Sequence, residues 1–199
     1  MQKYSLLLLF ILILRIETEA QVHFKLGPIV GMNSTELSTN IPYSRQTFGS
    51  GIAAGAFARL EIGKWYIQPE FMYVSKSSTL TGLNTSSNPS DINFSVSGYD
   101  INGLLGYELF KVGELANIRG FLGMGQSTNN TNTFNYEGIT LPKVNLASGS
   151  TNFIAGVGTD VLRFTVDFRY IRSLTELYNA SSYTIATNVF LLSLGIKFF

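Results

Sequence analysis

Cysteine is absent from the 199 residues, and histidine occurs once, as His23. The first absence excludes a disulfide framework, a thiolate nucleophile, a Cys-ligated zinc or iron–sulfur site and the lipid-bearing cysteine of a lipoprotein. The second excludes every metal motif that needs two histidines. Charge is scarce as well. Only 14% of residues are Asp, Glu, Lys or Arg, against roughly 25% in a soluble globular protein. Lys and Arg total 14 against 13 Asp and Glu, so there is no basic footprint for nucleic acid. No apolar run reaches the roughly 18 residues of a membrane helix. Glycine (19), phenylalanine (15) and tyrosine (10) are plentiful.

Residues 1–20 read as a secretory signal peptide. Lys3 is a short basic head, residues 5–14 are a Leu/Ile core, and Thr18, Glu19 and Ala20 precede the cut. The predicted mature chain, 21–199, is one domain.

Period-two alternation dominates that chain, in eight segments. Segment one alternates Val22, Phe24, Leu26, Pro28, Val30 and Met32 with Lys25, Gly27, Ile29 and Gly31. Segment two, 48–62, sets Ile52, Ala54, Ala56, Ala58 and Leu60 opposite Gly51, Gly55, Arg59 and Glu61. Segment three, 65–75, sets Trp65, Ile67, Pro69, Phe71 and Tyr73 opposite Tyr66, Gln68, Glu70 and Met72. Segment four, 92–109, changes parity near Ser97 and Gly98, which predicts a bulge or the true strand start there. The others are 115–126, 150–160, 162–171 and 188–198. Pro69 predicts a bulge or one lost ladder bond, because proline has no N–H.

Short and long links alternate along the chain. The links after segments two, four and six are read as residues 63–64, 110–114 and 160–161. The others, 33–47, 76–91, 127–149 and 172–187, are long and rich in Ser, Thr and Asn. This pattern predicts an all-β fold: an eight-stranded antiparallel up-and-down transmembrane β-barrel with tight periplasmic turns and long outside loops. Three features favour lipid outside over a soluble barrel: glycines crowd the polar face, segments reach the length needed to cross hydrocarbon, and aromatics form two bands. Trp65, Tyr107, Phe164 and Phe198 lie near the short turns; Phe48, Tyr73, Tyr99, Tyr170 and Phe190 lie near the long loops.

Four stretches, FKLGPIVGMN (24–33), WYIQPEFMYVSK (65–76), FIAGVGTDVLRFTVDFRYIRSLTEL (153–177) and LLSLGIKFF (191–199), carry a family likeness. On them the chain resembles the small outer-membrane β-barrel domain of Bacteroidetes, the PorT-like, porin-family group. The resemblance implies an eight-stranded barrel in the outer membrane of a Gram-negative bacterium and brings no catalytic set. The end of the chain resembles the assembly signal of such barrels, in Leu194, Ile196, Phe198 and Phe199. Lys197 stands where the register counted from the last residue calls for an apolar side chain.

The face assigned to the lumen holds Lys25, Arg59, Arg119, Arg163, Arg169 and Lys197 with Glu61, Glu70, Asp100, Glu108 and Asp167. Near-balanced charge in so narrow a barrel predicts a paired polar plug, assisted by inward Tyr66, Met72 and Phe121. The alternative is a narrow porin-like channel for ions or small solutes. A lipid-modifying enzyme of the outer membrane is a distant third, since a serine–histidine arrangement would have only His23, which starts the first strand at the periplasmic rim just after the predicted cut. The expectation is therefore a non-enzymatic structural or surface-interaction protein without metal or cofactor. Its expected surroundings are outer-membrane lipids and lipopolysaccharide, periplasmic chaperones and the barrel-assembly machinery during biogenesis, and an extracellular ligand at the long loops.

Overall fold

A computed structural model describes residues 22–39, 45–47, 49–81, 92–113, 115–136, 139–141, 149–175, 178–180 and 183–198, with side chains for 22–36, 49–77, 97–113, 115–128, 149–175 and 188–198. The leader at 1–20, Phe48 and Phe199 lie outside the described residues.

Eight long strands form the wall: β1 (Val22–Thr39), β3 (Gly49–Ile62), β4 (Trp65–Thr81), β5 (Ile92–Val112), β6 (Ala116–Tyr136), β8 (Gly149–Val161), β9 (Phe164–Ser173) and β11 (Tyr183–Ile196). Each pairs antiparallel with its neighbours in chain order, and β1 pairs with β11, so the sheet closes. Three-residue strands β2 (Arg45–Thr47), β7 (Ile139–Leu141) and β10 (Tyr178–Ala180) add to β4, β6 and β11 near the long-loop end. Closure leaves no bare edge along the wall, which hydrocarbon demands because it offers backbone groups no partner.

Register fixes the shape of the barrel. Paired residues followed around the wall from Phe24 pass through Leu60, Ile67, Leu105, Leu122, Ala155, Tyr170 and Phe190 and return at Ser34, ten residues further along β1. With ~3.3 Å per residue and ~4.8 Å between strands, that stagger tilts the strands by about 40°. Along β4 the aromatic bands are eight residues apart, Trp65 to Tyr73, about 20 Å of height at this tilt, close to the ~25 Å apolar belt of membrane barrels. The belt is on the outside: Phe24, Ile52, Trp65, Ile67, Phe71, Ile101, Leu122, Phe168 and Leu192 are all exposed. Tyr73 and Tyr99 meet edge to face at 5.6 Å in the band near the long loops, and Trp65 and Tyr107 at 4.8 Å near the short turns.

The short turns differ from their sequence reading in two places. Gly63 and Lys64 turn as expected, with Gly63 in the left-handed region at φ +60°. The β5–β6 turn centres on Gly113 at φ +61°, and the β8–β9 turn is Leu162 and Arg163, two residues later than expected. Leu162 takes φ +53° without being glycine, so no turn-forming residue marks the place. The strands also outrun their sequence boundaries at the long-loop end, β1 to Thr39, β4 to Thr81 and β6 to Tyr136. Beyond the hydrocarbon neither face need be apolar, so alternation fades while pairing continues.

Two local expectations meet the register directly. Pairing between β5 and β6 shifts between Ser97 and Gly98, and again between Glu108 and Phe110. At Pro69 there is no bulge. The register with β5 runs through Pro69 and Gly103 unbroken, while pairing with β3 lapses at Ala58 and Arg59 and resumes unshifted.

The seam between β1 and β11 is tight near its lower end. Pairs run from Thr39 to Ile29, and beyond Pro28 the Phe198 N–H donates to the Leu26 carbonyl at 2.9 Å. Gly27 lies between them, where an added Cβ would stand 1.6 Å from the Ile196 carbonyl oxygen. Only glycine permits that approach. Gly27→Ala is expected to cost about 1–3 kcal/mol, read as a lower urea midpoint for the compact, heat-modifiable band on gels. An unchanged midpoint would contradict the seam geometry.

Candidate functional site

Inward positions on β1, β3, β4, β6, β8 and β9, with Lys197 just past β11, converge in the half of the barrel nearer the short turns. There the charges form one chain of alternating sign. Lys25 Nζ meets Glu61 Oε1 at 2.6 Å, and Glu61 meets Arg59 Nη1 at 3.6 Å. Arg59 Nη1 meets Asp160 Oδ2 at 2.7 Å. Asp160 also holds Arg119 Nε at 3.2 Å and Lys197 Nζ at 3.3 Å. Arg119 Nη2 contacts Asp167, and Arg169 Nη2 meets the other Asp167 oxygen at 2.7 Å. Arg169 then grips Glu70 with both Nη atoms, at 2.5 and 2.8 Å.

Neutral groups complete the network. Gln68 accepts from Arg59 Nε at 2.5 Å and donates to Glu70 at 2.6 Å. Arg119 Nη1 donates to the Tyr66 hydroxyl at 3.0 Å, and Thr165 Oγ1 accepts from both Arg59 and Arg119. Arg59, Asp167 and Arg169 are 0% exposed. Charges so far from water cost several kcal/mol each unless paired and hydrogen-bonded, and here each ion has an opposite partner. Arg169 Nε and Ser193 Oγ are buried without a hydrogen-bond partner among the described residues.

The guanidinium planes also interleave with rings. Arg59 lies 5.6 Å from the Phe57 centroid and 4.9 Å from that of Tyr66. Arg119 lies between Tyr66 and Phe121, at 5.6 and 5.9 Å, and Arg169 is 5.5 Å from Phe121. Desolvated contacts of this kind contribute up to ~2 kcal/mol each.

Inner-face glycines make room for these side chains. A Cβ on Gly106 would fall within 2.1–2.4 Å of the Tyr66 ring, and one on Gly158 within 2.2 Å of Asp167 and 2.9 Å of Arg119. Tyr66 and Arg119 thus each lie over a position on the neighbouring strand that has no side chain.

Toward the long loops the filling changes character. On β4, Met72 and Val74 follow Glu70; on β8, Ile154 follows Asp160; on β9, Ile171 follows Arg169; on β11, Leu191 and Val189 lie past Ser193. With Ala53 they form a buried apolar layer. Small polar groups lie beyond it, where Asn152 Nδ2 donates to Ser127 Oγ at 2.7 Å and Asn33 Nδ2 to the Ser75 carbonyl at 2.9 Å. Polar groups flank this layer as well: Asp100 pairs in register with Met72, Asn102 Nδ2 lies 4.0 Å from the Met72 Sδ, and Asn33 pairs with Leu191.

Of the predicted lumen residues, Lys25, Arg59, Glu61, Glu70, Arg119, Asp167, Arg169 and Lys197 join the chain. Asp100 is buried nearer the long loops, and Glu108 is half-buried near the short turns, where Asn117 Nδ2 donates to it at 3.1 Å. Arg163 is a correction: it is exposed in the β8–β9 turn, outside the lumen. Asp160 is the residue that sequence reasoning missed. Read as part of a turn at 160–161, it is the last inward position of β8 and binds three cations. Its parity with Asn152 and Ile154 was the available signal. Lys197 points inward to Asp160 while Leu194, Ile196 and Phe198 point out, which accounts for a cation in the terminal strand pattern. The girdle residues Trp65, Tyr73, Tyr99, Tyr107, Phe164, Tyr170, Phe190 and Phe198 all lie on the outward face. His23 is exposed, opposite Glu61 in the register.

No protein-family model and no curated protein matches the chain. Solved structures do. Ail, the attachment invasion locus protein of Yersinia pestis, crystallised with the heparin analogue sucrose octasulfate, is 15% identical over 88% of this chain and 99% of that one, with a TM-score of 0.50. Neisserial surface protein A is 12% identical over 89% and 99%, with a TM-score of 0.47. The first likeness bears on fold: a closed eight-stranded barrel of the outer-membrane type.

Removing Asp160 should leave Arg59, Arg119 and Lys197 facing one another. Asp160→Ala is expected to cost about 3–5 kcal/mol, whereas Arg163→Ala should change stability by no more than about 0.5 kcal/mol. Urea unfolding of both variants in the same lipid checks this, and equal effects would contradict the assignment.

Proposed function

We propose that this chain is an integral outer-membrane protein of a Gram-negative bacterium that acts through its long-loop end, on a barrel whose lumen is closed. The observation that carries the reading is the double filling of the lumen, with the charge chain centred on Asp160 below and the apolar layer of Met72, Ile154, Ile171 and Leu191 above. A closed lumen leaves the two rims as the places where the protein meets other molecules. An even strand count, both barrel termini at the short-turn end and an apolar belt between aromatic bands support the outer-membrane placement.

Within this reading, residues 1–20 direct export, and periplasmic chaperones and the assembly machinery receive the chain. Leu194, Ile196, Phe198 and Phe199 present the terminal signal. Outer-membrane phospholipid and lipopolysaccharide cover the belt. The finer placement in the PorT-like group of Bacteroidetes rests on the four sequence stretches that resemble it. No catalytic step is assigned. Glu61, the acid opposite His23, is held by Lys25 and Arg59, which supports a structural use for that carboxylate. A ligand at the extracellular end, with structural or adhesive consequence, is the activity proposed. Ail supplies a case of this fold crystallised with a polyanionic sugar analogue.

Folded protein in planar bilayers is expected to stay electrically silent across both polarities, with a heat-shift gel confirming that the inserted sample is folded. Discrete, reproducible conductance steps would overturn the closed-lumen reading in favour of a narrow pore.

A further inference from the structure

The outer belt is not uniformly bulky. Across β5, β6, β8 and β9 it is cut by an apolar groove of about 770 Å³. Trp65, Tyr107 and Leu109 line it toward the short turns, and Phe168 and Tyr170 line it toward the long loops. Gly120 lies in its floor, pairing with Tyr107 on one side and Val157 on the other.

Packing does not impose that glycine. A Cβ on Gly120 would have its nearest neighbour at 3.5 Å, the Leu109 Cδ1, an ordinary contact. Gly106 and Gly156, by contrast, have the Tyr66 and Phe121 rings within 2.6 Å of where a Cβ would be. The fold would accept a side chain at 120, and the groove exists because none is there.

Charge marks the short-turn rim below it. Lys64 precedes Trp65 in the β3–β4 turn, and the Glu108 N–H donates to the Lys64 carbonyl at 2.8 Å, docking that turn beneath β5. Lys111 stands two residues past Leu109. Arg163 occupies the β8–β9 turn, which the Leu162 N–H ties to the Leu115 carbonyl of the β5–β6 turn at 2.9 Å. All three cations are exposed, and none is ion-paired among the described residues. Glu108, the nearby acid on β5, is engaged by Asn117.

We propose that this groove seats an acyl chain of a phospholipid from the periplasmic leaflet, with its anionic headgroup drawn to the basic short-turn rim along which Lys64, Lys111 and Arg163 are spread. An apolar trough between the two aromatic bands lies at the depth of acyl chains, and a chain filling it recovers the dispersion contacts that a gap forfeits. Basic residues at the headgroup level favour an anionic lipid. The groove's other end, near Tyr170, has Arg172 as the exposed cation on β9, so the charge favours entry from the short-turn side.

Trp65 is the single tryptophan of the chain and lines the groove, which makes it a built-in reporter. Folded protein is placed in phosphatidylcholine vesicles that contain a minor fraction of chain-brominated phosphatidylglycerol or chain-brominated phosphatidylcholine. Brominated phosphatidylglycerol is expected to quench Trp65 several-fold more strongly at equal mole fraction. The triple change Lys64→Gln, Lys111→Gln, Arg163→Gln should remove that preference, and Gly120→Leu should weaken quenching by both lipids. A heat-shift gel confirms that each variant is folded. Equal quenching of the unaltered protein by the two lipids would overturn the proposal, as would a preference that survives loss of the three cations. Displacement of the brominated lipid by lipopolysaccharide alone would assign the groove to the outer leaflet. Conversion of a dimer to a monomer by Gly120→Leu in sedimentation would assign it to a second copy of the chain.

Discussion

The interior of an eight-stranded barrel with a ten-residue stagger has room for side chains and little else, so a charge that enters it is costly unless it meets a partner there. That constraint orders the rest of the structure. Asp160 holds Arg59, Arg119 and Lys197 from three different strands' ends of the lumen, and Asp167 and Glu70 hold Arg169. These contacts join residues about a hundred positions apart in the chain, such as Arg59 with Asp160 and Glu70 with Arg169. They tie opposite walls together across the axis, where backbone pairing alone joins only neighbours. Their desolvation is severe, which makes the network a device for a specific interior more than a large net source of stability.

The filling of the lumen shapes the wall around it. Tyr66, Phe121 and the guanidinium planes stack in turn, and Tyr66, Phe121 and Arg119 each project over a glycine of a neighbouring strand. The glycines that look wasteful in the sequence of a strand are the complement of the bulk opposite them. The outer face obeys a different rule, because lipid conforms to any apolar surface. There a glycine such as Gly120 is free to leave a groove, and the contrast between the two kinds of glycine separates what packing requires from what it merely permits.

Much of this was legible in the sequence because a half-lipid, half-lumen strand must alternate. Strand number, the sidedness of segments such as 65–75 and 188–198, the turn at Gly63 and Lys64, and most lumen charges follow from that single rule. It failed where the rule stops operating. Past the hydrocarbon both faces are wet, so the ends of β1, β4 and β6 carry no alternation to follow. At Leu162 a residue other than glycine takes the left-handed turn conformation. Alternation alone therefore places the turn two residues early, which hides Asp160 and puts exposed Arg163 inside. The apolar layer was obscured because Ile154, Ile171 and Leu191 place apolar side chains on the inner face too, and there hydrophobicity ceases to tell the faces apart.

The central claim is that the lumen charges are locked to one another and shielded from water. It is tested most directly by NMR of the arginine guanidinium groups in lipid nanodiscs. The account predicts that Arg59, Arg119 and Arg169 give resolved, slowly exchanging side-chain N–H signals, while Arg163 and Arg172 exchange rapidly and average. If the three lumen arginines exchange as fast as the two exposed ones, water reaches them freely and the closed, interlocked lumen is contradicted.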